Sequence, residues 1–405
     1  MNVPLLDVRR QNLPLEEELV EAFRRVLRSG QFILGREVEE FEAAAAAVAG
    51  THFAIGMTSG TDAILVALMA LGIGPGDEVI CPSFTFFATG GCIARLGAKP
   101  VFADSCARSF NIDPQSLEPL ITPRTKAIIP VHLYGQPADM RPVMEIAGRR
   151  GLAVIEDAAQ AFGAEYRGQP AGSFGDFATV SFFPTKNLGA LGDAGLLVTN
   201  DPALAEKARL LRNHGAHPRY FHSMIGGNFR LDALQAALLA VKLPHLPEYT
   251  AARQRNFCEY NRALSQARGG EVVELVLPSV QPDRTHIANQ YTLRVRRGPG
   301  WQWAEPPRDS LRRWLQDREI ASEIYYPVPL HAQECFQAWG PYPPLPVAEA
   351  LSGEVISLPV FPEMTAEEHN AVICAVTDFV HSAAQLPPGQ RRQRLMQDTA
   401  ESRLS

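Results

Sequence analysis

Four short stretches of this chain carry residues that could do chemistry together. Lys186 lies in SFFPTKNLGALGDAG, between a strand-like run and a glycine-rich loop. An apolar approach of that kind desolvates the amine and lowers its pKa, which makes it a nucleophile near neutral pH. Asp157 directly follows the apolar run LAVIE, at the carboxyl end of a strand, where ligands of open α/β sheets collect. SGTDA, Ser59 to Ala63, opens a helical run after FAIGM. Gly60 lets the backbone come close there, and the free N–H groups and helix dipole of Thr61 and its neighbours attract a dianion. PSFTFFATG sets Phe84, Phe86 and Phe87 just beyond EVICP, offering a flat ring surface. Taken singly, the acid reads as a helix cap, the Gly-Thr turn as ordinary capping, the phenylalanines as core and the lysine as a surface residue.

Together they meet the four requirements of pyridoxal 5'-phosphate (PLP) chemistry: a lysine to form the imine, an acid facing the ring nitrogen, an anion cradle and a ring-stacking surface. A carboxylate at Asp157 keeps the pyridine nitrogen protonated and the ring electron-withdrawing. Gln160 follows one helical turn later, and Ser181 could add a hydroxyl to the phosphate cradle.

The elements that must position these residues alternate between helix-like and strand-like patterns from about Val20 to Thr199. The apolar runs EVICP, KPVFA, KAIIPVH and LAVIE suit parallel strands buried on both faces. The expectation is a large α/β domain over residues 1–245, with a mostly parallel central sheet flanked by helices. Leu231, Leu234, Leu238 and Val241 share a helical face, after which Pro244 and Pro247 break the chain at a domain boundary. A smaller C-terminal α+β domain over 246–385 follows, with a strand at NQYTLRVRR, a helix at DSLRRWLQDREI and a strand at ASEIYY. Residues 386–405, rich in Gln and Arg, are expected to be poorly ordered.

The 405 residues exceed what one hydrophobic core usually organises. A net charge of -6 argues against a nucleic-acid partner. No membrane span or export signal is expected, and six scattered cysteines point to the reducing cytoplasm rather than a disulfide framework. His214, His217 and His222 lack an acid or cysteine at ligand spacing, so no metal is expected.

These stretches resemble the DegT/DnrJ/StrS family of PLP-dependent sugar aminotransferases, of fold type I. The resemblance runs from about Pro4 to Val380 and includes GQFILGREVEEFE, TSGTDAI, VIEDAAQAFGAEYRG, GDFATVSFFPTKNLGALGDAG, GGNFRLDALQAALL and IYYPVPLH. It implies Lys186 as the Schiff-base lysine, Asp157 as the ring-nitrogen partner, Gln160 at the ring 3-hydroxyl and Phe86 stacked on the ring. Gly60, Thr61 and Ser181 would hold the phosphate, and Asn228 would reach the phosphate of a neighbouring subunit in a homodimer with shared active sites. His222, Tyr325, Tyr326 and His331 would line the sugar side. The implied reaction moves an amino group from L-glutamate to a 3- or 4-keto nucleotide-linked sugar, with YFHSMIGGNFRLDALQAA favouring the 3-amino branch. Keto-cyclitol substrates, a sugar dehydratase and a regulatory protein are the alternatives; the dehydratase branch typically carries histidine where this chain has Lys186. One departure stands inside the key loop: GDAG has Ala194 where relatives commonly have glycine, which predicts a slightly narrowed approach for the cofactor.

Overall fold

The computed structural model describes residues 1–385, so the segment 386–405 expected to be poorly ordered lies outside the described residues. Seven strands form the central sheet in the spatial order Phe53–Met57, Gly195–Thr199, Phe177–Ser181, Ala153–Asp157, Thr125–Ile128, Glu78–Pro82, Lys99–Ala103. Gly195–Thr199 is antiparallel to both neighbours, and all the other pairings are parallel. Six strands therefore end on one edge of the sheet, and the seventh begins there. The apolar strand runs are required because both faces are covered. On one face lies the Gly60–Ala70 helix, whose sequence GTDAILVALMA is buried nearly all round, packed with Pro202–Arg212. The helices Glu16–Ser29, Arg36–Ala49 and Ala233–Lys242 cover the opposite face of the strands at the Phe53–Met57 side.

A second unit is built on the antiparallel strands Val273–Val276, Tyr291–Arg297 and Val355–Leu358, against the helices Leu246–Leu264, Pro307–Gln316 and Ala366–Gln385. Three details differ from the sequence expectation. ASEIYY makes only the single bridge Glu323–Ser357 instead of a strand. Its backbone turns away at Tyr326, where φ is 61°, and Glu323 uses its carboxylate to accept the next N–H, that of Ile324. Pro244 and Pro247 do not break the chain. Each lies in the first turn of a helical segment, Leu243–His245 and Leu246–Leu264, where a missing N–H costs nothing, and the path stays helical through both. Val3 belongs to the core of the second unit: its N–H donates to the Glu319 carbonyl and its own carbonyl accepts from Ala321, both at 2.9 Å. No helix of the described residues is long and apolar enough to cross a membrane.

Candidate active site

The common strand edge gathers the chemistry. Ser59 follows the Phe53–Met57 strand and caps the Gly60–Ala70 helix, its Oγ accepting from the Asp62 N–H at 3.1 Å. The N–H groups of Gly60 and Thr61 belong to the first turn and have no intrahelical acceptor. A side chain at residue 60 would close the cradle, since a Cβ there would lie 2.8 Å from the Ser181 Cβ and 3.4 Å from its Oγ. A helix start with two free amides thus stands directly against the Ser181 hydroxyl, a donor set that fits a phosphate dianion. Gly195 backs this turn from behind, where a Cβ would meet the Ser59 carbonyl carbon at 2.3 Å. Ala194, expected to narrow the cofactor approach, points the other way. It is buried in the core beneath the Arg36–Ala49 and Ala233–Lys242 helices. Successive residues of a strand face opposite sides, so the glycine that matters is the one after it.

Asp157 ends its strand buried. Its Oδ2 accepts from the Thr89 hydroxyl at 2.8 Å and its Oδ1 from the Ala159 N–H at 3.2 Å. Burial pushes its pKa above the usual carboxylate value, opposed by those two hydrogen bonds and by the positive charge of Lys186. Lys186 lies in the loop joining Phe177–Ser181 to Gly195–Thr199. Desolvation lowers its amine to about 8, while Asp157 pulls in the opposite direction. Ala159, Gln160, Ser181, Lys186, Asn187 and Asn289 line a small shared cavity. A buried acid near a partly neutral lysine and a dianion cradle suits PLP: the acid is stabilised by a protonated ring nitrogen, and the amine is available to condense with an aldehyde.

Gln160 is oriented from two sides. Its Oε1 accepts the Tyr134 N–H at 2.6 Å, and its Nε2 donates to the Tyr326 hydroxyl at 2.9 Å. Both tyrosines hold left-handed backbone, φ 59° and 61°, and their rings stack 6.2 Å apart beside Phe84. One Nε2 hydrogen of Gln160 remains for a ligand. Phe86 is 59% exposed at the start of the Phe87–Arg95 helix, open to stack on a bound ring, whereas Phe84 is spent in the core. Thr89, one turn into that helix, is the partner of Asp157 that sequence reasoning missed; its helical spacing after Phe86 was the available signal.

The expected substrate-side residues divide. Tyr325 is half-buried with its ring 6.0 Å from that of Tyr326. Tyr326 serves Gln160. His331 has both ring nitrogens engaged within the protein. The Glu349 carboxylate can only accept, so Nε2–H donates to it at 3.2 Å and Nδ1 accepts the Ser83 hydroxyl at 2.7 Å, while the Ser83 Oγ accepts the His331 backbone N–H at 3.2 Å. His222 is exposed, and its Nδ1–H donates to the His214 carbonyl at 2.9 Å. Asn228 is exposed on the segment paired with Asn213, and among the described residues its side chain makes no hydrogen bond.

Comparison with known proteins agrees with this geometry. A "Pleiotropic regulatory protein" of Geobacillus stearothermophilus is 49% identical over 380 residues, covering 94% of this chain and 99% of the relative. The UDP-N-acetyl-3-dehydro-alpha-D-glucosamine 3-aminotransferase of Acidithiobacillus ferrooxidans is 43% identical over 379 residues, covering 94% and 98%. The crystal structure of S. venezuelae DesV in complex with a ketimine intermediate superposes with a TM-score of 0.87 at 42% identity, covering 94% of this chain and 98% of that one. The profile of the DegT/DnrJ/EryC1/StrS aminotransferase family matches residues 14–377, a stretch that includes every strand of the described residues. The chain therefore belongs to the DegT/DnrJ/EryC1/StrS aminotransferase family and is a PLP-dependent sugar aminotransferase.

Proposed function

We propose that this protein transfers an amino group from L-glutamate to the 3-keto carbon of a nucleotide-linked sugar, as a step in amino-sugar synthesis. The observation that carries the reading is a buried Asp157 and a half-buried Lys186, its amine lowered to about 8, at one sheet edge beside the Gly60–Ser181 cradle, each feeling the other's charge. When bound, PLP supplies the electrophilic carbon and the electron sink that exchange of an amino group for a keto oxygen requires. The residues of the chain do the rest. Gly60, Thr61 and Ser181 would hold the phosphate, Asp157 would keep a proton on the ring nitrogen, Gln160 would donate to the 3-hydroxyl and Phe86 would cover one ring face. Lys186 would hold the cofactor, and its Nζ, lowered to about 8, would take and return the proton at the reacting carbon.

The 3-position is supported by the YFHSMIGGNFRLDALQAA segment and by the 43% identical relative, which is named as a 3-aminotransferase. Glutamate as donor rests on the family resemblance. The same resemblance supports a homodimer in which the unbonded Asn228 side chain serves the partner's phosphate cradle, and the six scattered cysteines support the cytoplasm as the site of action. Lys186 also speaks against the dehydratase branch. The regulatory name of the 49% identical relative keeps a non-catalytic reading in view. The test is to incubate the purified protein with PLP, L-glutamate and a panel of 3-keto and 4-keto nucleotide sugars and keto-cyclitols, with product masses read. Formation of 3-amino product, lost in Lys186→Ala, is expected. No amino transfer to any member, or turnover retained in Lys186→Ala, overturns the proposal.

A further inference from the structure

Lys242 and Arg253 are buried cations, each about 1% exposed, and neither forms an ion pair among the described residues. Burying an unpaired ammonium is strongly unfavourable, so its hydrogen-bond partners matter. Lys242 Nζ donates to the Gly189 carbonyl at 2.5 Å, three residues beyond Lys186. Gly189 lies where the loop doubles back on itself: a Cβ there would sit 2.3 Å from the Pro184 carbonyl oxygen. The same helix, Ala233–Lys242, holds the loop again through Gln235, whose Oε1 accepts the Leu191 N–H at 3.0 Å.

The other side of the loop is gripped through Arg253. Its Nη1 donates to the carbonyls of Ala288, Asn289 and Val360. Asn289 Nδ2 in turn donates to Asn187 Oδ1 at 3.0 Å, and Asn187 Nδ2 to the Ile287 carbonyl at 2.9 Å. The residues just after Lys186 are thus held between two buried cations that bond to main chain. Glu363 is the carboxylate whose charge acts on both, and its Oε2 is buried without a partner.

We infer that Lys242 is a positioning residue for Lys186, fixing the loop so that the Lys186 amine stays out of water and aimed at the cleft. The inference rests on Lys186 being the cofactor lysine. A methionine at 242 would fill the space but leave the Gly189 carbonyl unsatisfied, freeing the loop to relax toward solvent. The amine of Lys186 would then be rehydrated and its pKa would rise from about 8 toward the ordinary lysine value.

The test is competitive labelling of Lys186 in the apoprotein with acetic anhydride across pH, read by mass spectrometry, for wild type, Lys242→Met and Lys242→Arg. Lys242→Met is expected to move the Lys186 midpoint up by about one unit. In the holoenzyme it is expected to lower kcat about tenfold with KM nearly unchanged, because the substrate contacts are untouched. Lys242→Arg, which keeps a charged donor, is expected to return the midpoint toward wild type. Should Lys242→Met fail to fold, Lys242→Leu, which also lacks a donor, is read by the same midpoint. An unmoved midpoint in a folded Lys242→Met or Lys242→Leu protein overturns the inference, even if the melting temperature falls. The labelling uses neither cofactor nor keto substrate, so a wrong substrate assignment leaves this result standing.

Discussion

The Thr89 hydroxyl donates a 2.8 Å hydrogen bond to Oδ2 of Asp157, across 68 residues of chain, and helps keep a buried carboxylate ionised. Hydrogen bonds to charged groups contribute about 1.5–3 kcal/mol, so Thr89→Val should lower kcat/KM by about 10- to 100-fold. Weaker retention of PLP in dialysis should accompany the loss. Steady-state kinetics equal to wild type would remove Thr89 from the account of the ring-nitrogen partner.

Lys186 gives a pH signature. Its amine is lowered to about 8 by burial and is charged, hence unreactive, below that. Capture of PLP by the apoenzyme, followed by absorbance, should accelerate about tenfold per pH unit up to pH 8 and level off above about pH 9. The same shift acts on stability. The folded-state pKa lies below the unfolded value, so the unfolded chain binds more protons between about pH 8 and the ordinary lysine value of 10.5. The apoenzyme should therefore gain stability through that window, by on the order of 3 kcal/mol from this group. Lys186→Met should flatten the rise in denaturant titrations, leaving the part due to Lys242, which is also lowered to about 8.

Gly60 offers a steric test. With an added Cβ only 2.8 Å from the Ser181 Cβ, Gly60→Ala must displace one wall of the phosphate cradle. The dissociation constant for PLP should rise by about tenfold or more, equivalent to at least ~1.4 kcal/mol. The melting temperature of the apoprotein should change far less than that of the holoenzyme. Equal PLP affinity in equilibrium dialysis would place the phosphate elsewhere.

His331 should behave as a structural residue. Its ring bridges Ser83 and Glu349, so His331→Phe leaves the buried Ser83 hydroxyl without its acceptor, at about 1–3 kcal/mol of stability. KM for the keto substrate should stay within a few-fold. A large KM increase without a change in melting temperature would return His331 to the sugar-binding side.

The cofactor end of the site was legible because its residues sit at strand ends and helix starts, positions that local patterning marks. Asp157 after LAVIE and the SGTDA turn occupy such positions, and Lys186, in the loop after the Phe177–Ser181 strand, is marked by the glycines that follow it. What escaped depends on side-chain direction or distant pairing. Ala194 and Gly195 exchange roles because one residue of register changes the face. Tyr326 and His331 stand in one motif, yet a left-handed turn and a hydrogen bond to Ser83 direct both toward protein groups. Lys242 drew no role from the sequence, and its contact with Gly189 is what gives it one. Val3 joined the second unit through a pairing with residues more than 300 positions away.

That N-terminal pairing means the second unit is attached to the large sheet unit by two connections, one through Leu13–Leu15 and one through Leu243–His245. Leu15 and Leu243 both pack in the core beneath the large sheet. Removing the first few residues would cut the first connection and leave the Glu319 carbonyl and the Ala321 N–H without their Val3 partners, so the cost would fall on the stability of the second unit rather than on any group within the cleft.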